Sequence, residues 1–377
     1  MRRERKRKKI SRRFLIDERS ERHGRARTDM AERVRKRRVE PFIDHNMKDT
    51  GAEEKPVHWS KQKELVAGYW HLKLILLIFR FFPMIVLRIL AFPVGFFYFI
   101  FSRRTRIESR RFLHTVSAYI KDPVIAKKCL SPFGPLRHII SFSLSVVEKM
   151  QSWGGKFFFE GIHFHNDDVG DLYETLESGA GVFLIGSHLG NMELLRALAT
   201  FNRTGIARKI PLTTIHNIKV NKNFIRMIKE LNPDSVMDII SVDDIGPETS
   251  LILADTLESG GIVTLTGDRT STGSSGKNIM IPFLGREAPF PTGPFYLAAL
   301  LKAPVYFIFS RRRGDLSLKP EYDMYVHKAG VSLDCTRKER MEKSLELLRA
   351  FAALLEKYST ENPFQWYHFY DFWSEGV

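Results

Sequence analysis

The chain has 377 residues, of which 44% are hydrophobic, and it carries a net charge of +16. This length and composition are sufficient for one large folded domain with appendages. Its two cysteines, Cys129 and Cys335, lie far apart and outside any metal-type spacing. That excludes a disulfide framework and a zinc site, and it is typical of a reducing compartment.

Most of the net charge lies at the start of the chain, where residues 1–38 hold 18 Lys and Arg against 6 Asp and Glu. We interpret residues 1–60 as a basic, disordered arm that is simply solvated. Contact with anionic lipid headgroups is the next interpretation. Nucleic-acid binding ranks last, because no aromatic residues interleave with the basic cluster and no nucleic-acid module follows it.

The most hydrophobic part of the chain is 72–101, which three basic residues interrupt and two prolines are expected to kink. A straight spanning helix is therefore disfavoured, since no uncharged run of about 20 residues exists. A kinked segment that lies in the membrane interface, with Arg80 and Arg88 extending their charged ends to water, fits at least as well as one that spans the bilayer. A buried core hairpin is the alternative. On this interpretation, residues 61–106 form a membrane-anchoring segment.

Residues 107–377 are predicted to form a single domain of the α/β class. Strands alternate with helices over 155–330, which favours a mainly parallel sheet covered by helices. The aromatic-rich stretch 363–373 is expected to cover the core. Gly285–Pro294 is predicted to be a loop. The predicted strands are Phe157–Phe164, Val182–Ile185, Leu212–His216, Gly261–Thr266, Val305–Ser310 and Tyr322–His327, the last at a sheet edge. The predicted helices include Met192–Ala199, Asn221–Leu231, Thr249–Ser259, Phe295–Lys302 and Thr336–Tyr358.

A candidate catalytic residue, His188, lies on the turn between a predicted strand and the helix that follows it. Ligands bind at such turns in open α/β sheets. Glu193 lies in the first turn of that helix, where its carboxylate is expected to reach back and hold the imidazole in one tautomer. The alternative is a packing role for His188, with Glu193 merely favouring the helix N-terminus.

A second polar turn, Gly267-Asp268-Arg269, also follows a predicted strand. Asp268 and Arg269 are candidates for contact with a polar substrate, or else form a surface ion pair that contributes little. The Gly- and Ser-rich loop after them does not match the phosphate-binding loop, because Ser271 occupies the position of its first glycine. No Gly-x-Ser-x-Gly elbow occurs either. An ATPase and an α/β-hydrolase are therefore disfavoured.

Several of these pieces, taken in order, resemble the bacterial lipid A biosynthesis acyltransferases of the lauroyl/myristoyl type, a branch of the lysophospholipid acyltransferase superfamily. The resemblance covers about residues 70–373. The basic extension 1–60 and the broken hydrophobic segment depart from the family pattern. These departures affect the identity of the acyl acceptor more than the type of reaction. The residues that carry the resemblance are Ser187-His188-Leu-Gly-Asn-Met-Glu193, Gly267-Asp268-Arg269, Ile281-Pro-Phe-Leu-Gly285, Pro294-Phe-Tyr-Leu-Ala298 and Asn362-Pro-Phe-Gln-Trp366.

The residues in this pattern favour direct acyl transfer from a thioester to a hydroxyl, with His188 as general base and Glu193 orienting it. The backbone N–H groups of Gly190 and Asn191 are candidates for holding the oxyanion. Asp268, Arg269 and Arg286 are expected to bind the polar part of the acceptor or the phosphopantetheine of the donor. No cofactor and no metal are expected.

The resemblance implies acyl carrier protein as donor, a lipid A precursor or related glycolipid as acceptor, and a location at the cytoplasmic face of the bacterial inner membrane. An acidic carrier would suit the basic surface of Lys219, Lys222, Arg226 and Lys229. Two alternatives stay open. One is a glycerophospholipid acyltransferase using the same His188 and Glu193. The other is a non-catalytic protein that binds membrane lipid, against which the intact His/Glu pair weighs.

Overall fold

The computed structural model describes residues 77, 79, 81–154, 159–166, 168–200, 205–216, 238–241, 246–270 and 278–373. The predicted arm 1–60 and the predicted helix Asn221–Leu231 lie outside the described residues. So do Arg80, residues 271–277 and the four basic residues expected to receive a carrier protein.

Nine helices and nine strands occur in the described residues. The helices are α1 (Met84–Phe101), α2 (Arg103–Ser117), α3 (Pro123–Leu130), α4 (Gly134–Trp153), α5 (Asp168–Glu177), α6 (Glu193–Thr200), α7 (Pro247–Glu258), α8 (Gly293–Leu301) and α9 (Arg340–Glu361). The strands are β1 (Ile162–His165), β2 (Val182–Gly186), β3 (Leu212–His216), β4 (Asp238–Ser241), β5 (Ile262–Thr266), β6 (Asn278–Phe283), β7 (Arg286–Pro291), β8 (Val305–Arg312) and β9 (Tyr322–Lys328). A short 3₁₀ helix, Phe159–Gly161, precedes β1.

Seven strands form one sheet in the order β1-β9-β8-β2-β5-β3-β4. The strands β8, β2, β5, β3 and β4 run parallel to one another. Strand β9 pairs antiparallel with β8, and β1 pairs parallel with β9. Helices cover the sheet, so the prediction of a mixed α/β fold with a mostly parallel sheet is confirmed. The prediction that Tyr322–His327 is an edge strand is wrong, because β9 lies between β1 and β8.

Strand residues of the central sheet alternate between two cores. Phe183 and Ile185 of β2 pack into a large core with α8, α9 and the aromatic C-terminal stretch. Val182 and Leu184 point to the opposite face and pack with α5 and α6. Burial on both faces explains why β2 is a continuous apolar run rather than an alternating one.

A separate hairpin joins β6 to β7. The prediction of a loop over Gly285–Pro294 is therefore wrong for most of that segment, because Arg286–Pro291 forms β7. Two-stranded pairing leaves one edge of β7 free of ladder bonds, so Pro289 and Pro291 are tolerated. The turn residues Leu284 and Gly285 both have positive φ, the conformation that two-residue hairpin turns favour.

The hydrophobic segment forms α1, which is long and apolar enough to cross a membrane by length and composition alone. Its outer face exposes large apolar side chains. The expectation that Arg88 extends to water is wrong, since Arg88 is only 6% exposed and points into the protein. Exposed apolar residues of α1 include Ile85, Ile89, Val94, Phe97 and Phe101.

Arg88 joins a buried charge network centred on the fully buried Glu148 of α4. The Arg312 guanidinium donates to both Glu148 oxygens, at 2.7 and 2.9 Å, and the Tyr322 hydroxyl donates to the same carboxylate. Arg88 lies 4.0 Å from Glu148 and donates to Gln151 at 2.7 Å. The network therefore ties α1, α4 and the ends of β8 and β9 together.

We expect Glu148→Gln to lower the free energy of unfolding by about 3–5 kcal/mol, because it leaves two buried arginines without their counter-charge. Glu346→Gln is the control. It breaks a partly exposed pair with Lys343 and should cost no more than about 1 kcal/mol. Chemical unfolding of the detergent-solubilised variants measures both. Equal stability of the two variants would contradict a structural role for the network.

Candidate active site

The candidate site lies at the carboxyl ends of β2 and β5, which are neighbours in the sheet. Gly186 and Thr266 form their last registered pair, and His188 and Asp268 each follow two residues later. Parallel strands bring the residues that follow them to one edge of a sheet. Two turns that are 80 residues apart in sequence therefore meet.

The carboxylate of Asp268 holds His188 through two bonds. The backbone N–H of His188 donates to one oxygen at 2.7 Å, and ring Nδ1 lies 2.7 Å from the other. With Nδ1–H donated to a carboxylate, Nε2 is left as the acceptor of the ring. The His188 side chain remains 22% exposed, whereas that of Asp268 is buried. The ring is thus fixed in one tautomer while it stays accessible.

The C-terminal aromatic stretch packs over this pair. The Trp366 indole N–H donates to Asp268 at 2.9 Å. The backbone N–H of Tyr367 donates to the His188 carbonyl at 3.2 Å. The stretch covers the core as expected, and Trp366 also fixes the carboxylate, a role that the sequence did not indicate.

Two opposing effects set the pKa of each partner. Burial raises the pKa of Asp268, but the adjacent His188 and its hydrogen bonds outweigh this and bring it to about 2. Burial and then the charge of Arg269 lower the pKa of His188, against the raising effect of Asp268. The pair therefore favours a neutral imidazole beside an ionised carboxylate.

Glu193 does not hold His188, contrary to the expectation from the sequence. Its carboxylate accepts from the Trp153 indole N–H at 2.9 Å and pairs with Arg196 one turn later. Arg196 in turn lies 4.6 Å above the Trp153 ring and bonds His216. Burial raises the pKa of Glu193, but the charge of Arg196 leads the effects that bring it below its usual range. Glu193 therefore anchors the start of α6 to α4 and β3.

The backbone N–H groups of Gly190 and Asn191, which were expected to hold the oxyanion, already donate hydrogen bonds within the protein. Gly190 donates to the carbonyl of Gln365 at 2.8 Å, and Asn191 donates to the hydroxyl of Ser310. Gly190 has φ +64°, and a Cβ there would lie 2.2 Å from the Ser310 carbonyl oxygen. The glycine thus serves the close approach of the turn to β8 rather than anion binding.

The buried side-chain amide of Asn191 makes no hydrogen bond in the described part of the chain. The helix α6 begins at Glu193, and Leu194 donates to the Asn191 backbone carbonyl at 3.4 Å, so the Asn191 side chain does not cap α6.

Two cationic side chains lie near His188. Arg269 donates to the Tyr367 carbonyl at 3.4 Å, and Lys149 of α4 lies 5.9 Å from the Tyr367 ring centroid. Both lower the pKa of His188 through their charge. Burial, partly offset by Glu193, lowers the pKa of Lys149 to about 8. No local sequence pattern indicates Lys149, because α4 reaches the site only through tertiary packing.

Arg286 is not brought to His188. It begins β7 and lies 5.2 Å from the ring centroid of Trp373. The aromatic rings of Phe283 and Trp366 lie between Trp373 and Asp268. Among the residues that the structure describes, no group of three or more His, Cys, Asp or Glu side chains is arranged to hold a metal ion.

Comparison with known proteins identifies the family of this chain. No curated protein sequence matches the chain. The family model for bacterial lipid A biosynthesis acyltransferase matches residues 59–375, which include α1, the sheet, His188, Asp268 and the C-terminal aromatic stretch. This family implies an acyltransferase that uses an acyl donor and a lipid substrate. The chain belongs to the bacterial lipid A biosynthesis acyltransferase family.

Proposed function

We propose that this protein transfers a fatty acyl group from an acyl thioester, carried by acyl carrier protein, to a hydroxyl of a lipid A precursor or related glycolipid. The observation that carries the proposal is the pairing of His188 with Asp268 at the carboxyl edge of the sheet. A neutral, accessible imidazole held by a buried carboxylate is suited to general-base catalysis.

In this mechanism Nε2 of His188 accepts the proton of the acceptor hydroxyl while the hydroxyl oxygen attacks the thioester carbonyl. Asp268 stabilises the resulting imidazolium. Collapse of the tetrahedral intermediate breaks the carbon–sulfur bond, and His188 returns the proton to the departing sulfur. Ser187 is buried and accepts a bond from the Leu189 N–H at 3.3 Å, which agrees with a turn role rather than a nucleophilic one.

The cations Lys149 and Arg269 are the proposed source of stabilisation for the oxyanion. Both lie close enough to His188 to lower its pKa. With a pKa of about 8, Lys149 is mostly protonated at pH 7, so it supplies a positive charge where negative charge develops. Fixed charges in a buried site stabilise an oxyanion more than they would in water.

The exposed apolar face of α1 supports the same assignment. The apolar outer face of α1 is continuous with a soluble-type catalytic domain, an arrangement that suits an amphiphilic acceptor. We propose that residues 61–106 anchor the domain 107–377 at the cytoplasmic face of the inner membrane, and that the basic arm 1–60 precedes the anchor.

The first test is acyl transfer from radiolabelled acyl-carrier-protein donors to a panel of lipid A precursors and lysophospholipids. We expect His188→Ala to lower kcat by about 10²–10⁴-fold, the contribution of a general base. Asp268→Asn should lower kcat by about 10³–10⁴-fold, because the amide favours the wrong imidazole tautomer. Glu193→Gln should act mainly on thermal stability.

Asp334→Asn is the matched control, since its side chain is 99% exposed. A glycolipid that accepts label, with lysophospholipids inert, supports the proposed acceptor; the reverse pattern indicates a phospholipid acyltransferase. If Glu193→Gln abolished transfer while Asp268→Asn stayed active, the Asp268 mechanism would be wrong and a His/Glu pair would replace it.

A second prediction concerns the protonation of His188, whose pKa should lie below 6.5. Activity should therefore persist at pH 6.5 and fall as the pH drops through this lowered pKa. Asp268→Asn should lower the pKa further, because a negative charge that raises it is lost. Lys149→Met should raise it, because a nearby positive charge is lost.

NMR titration of histidine-labelled protein in detergent measures these shifts, and His188→Ala assigns the resonance. Lys319→Met is the control for Lys149, because its side chain is 80% exposed and pairs with Glu321. A higher pKa for His188 in Asp268→Asn than in the wild type would contradict the arrangement.

A further inference from the structure

A basic cavity of about 740 Å³ lies on the outer face of α2, away from His188. Its lining residues recur every three or four positions along the helix, so they share one face. Five arginines and a histidine face a single aspartate. The lining consists of Arg103, Arg106, Ile107, Arg110, Arg111, His114, Thr115, Arg286, Asp371 and Trp373.

Three of the five guanidinium groups are held in place by the protein. Arg106 donates to the carbonyl of Phe99 at the end of α1, and Arg111 lies 3.5 Å from Asp371. Arg286 stacks over Trp373. These contacts engage three of the five guanidinium groups with the protein itself.

The other two guanidinium groups, Arg103 and Arg110, are exposed and make no hydrogen bond or ion pair within the described part of the chain. Unpaired guanidinium groups in a concave site present N–H donors in a planar fork that matches a phosphate. The cavity therefore has both a positive charge and free donors for an anion.

The position of the cavity indicates what the anion is attached to. Phe101 ends α1, and Arg103 begins α2 two residues later. The exposed apolar face of α1 thus runs directly into the arginines. A lipid with its acyl chains along α1 would bring its headgroup to the cavity, whereas an acidic protein would gain nothing from an adjoining apolar helix.

We propose that this cavity binds the phosphate of a lipid headgroup, with Arg103 and Arg110 as its principal donors. The proposal rests on the proposed function only in its choice of a lipid ligand. Two sources share this chemistry: an anionic phospholipid of the surrounding bilayer, and a phosphate on the acceptor itself. The buried rings of Phe112 and Trp366 lie between α2 and Asp268, so the site holds a headgroup without touching the reacting atoms.

The test is flotation of the full-length protein with phosphatidylcholine vesicles that contain either phosphatidic acid or oleate, matched in surface charge. The wild type should prefer the phosphatidic acid vesicles. Arg103→Gln combined with Arg110→Gln should lose that preference and bind these vesicles about thirtyfold more weakly, since each basic residue at an anionic surface contributes roughly a factor of five.

The control combines Arg337→Gln with Lys338→Gln, which removes the same formal charge from two exposed positions in the turn before α9. It should keep the wild-type preference. A wild type without preference for phosphate at matched charge would overturn the proposal, and so would a preference that survives in Arg103→Gln/Arg110→Gln. Flotation does not depend on catalysis, so its failure is distinguishable from failure of the acyltransferase assignment.

A kinetic arm distinguishes the two sources of phosphate. Transfer is measured in neutral detergent to a phosphorylated glycolipid and to its dephosphorylated form. If the acceptor supplies the phosphate, the double variant raises KM for the phosphorylated acceptor alone. If bilayer phospholipid supplies it, KM matches the wild type for both acceptors while the vesicle preference is lost.

Discussion

The site depends on one buried carboxylate. Asp268 accepts from the His188 backbone, the His188 ring and the Trp366 indole, and so joins the turns after β2 and β5 to the C-terminal stretch. Its pKa of about 2 lies below the ordinary value near 3.9, so its ionised form stabilises the fold above that ordinary value. This contribution is lost as the pH falls towards 2. The contacts that orient His188 therefore also hold the two turns and the C-terminal stretch together.

Glu148, which directly precedes Lys149 in α4, imposes a similar constraint. A fully buried carboxylate requires partners, and here they come from α1, β8 and β9. Arg88, the charged residue within the most hydrophobic helix, thereby attaches α1 to the rest of the protein. As a result, α1 keeps apolar side chains exposed on its outer face while Arg88 points into the protein.

The sequence predicted local features well, including the buried β2, the exact bounds of β3 and the turn that carries His188. It did not predict the partner of His188, because that depends on β2 and β5 being adjacent, which no local pattern encodes. Glu193 was the nearer carboxylate in sequence, but Trp153 and Arg196 engage it. Lys149 and Arg88 were missed for the same reason, since their surroundings come from other parts of the chain.

Two positively charged regions serve different chemistry because their burial differs. Lys149 and Arg269 lie near His188 in a buried site, where their charges lower its pKa and are available to an oxyanion. The arginines of α2 lie at an exposed surface, where water and salt screen them from the imidazole. A phosphate bound at α2 would therefore leave the base neutral. Separation by Phe112 and Trp366 makes the two proposals compatible, since a phosphate in the α2 cavity would not prevent His188 from accepting a proton.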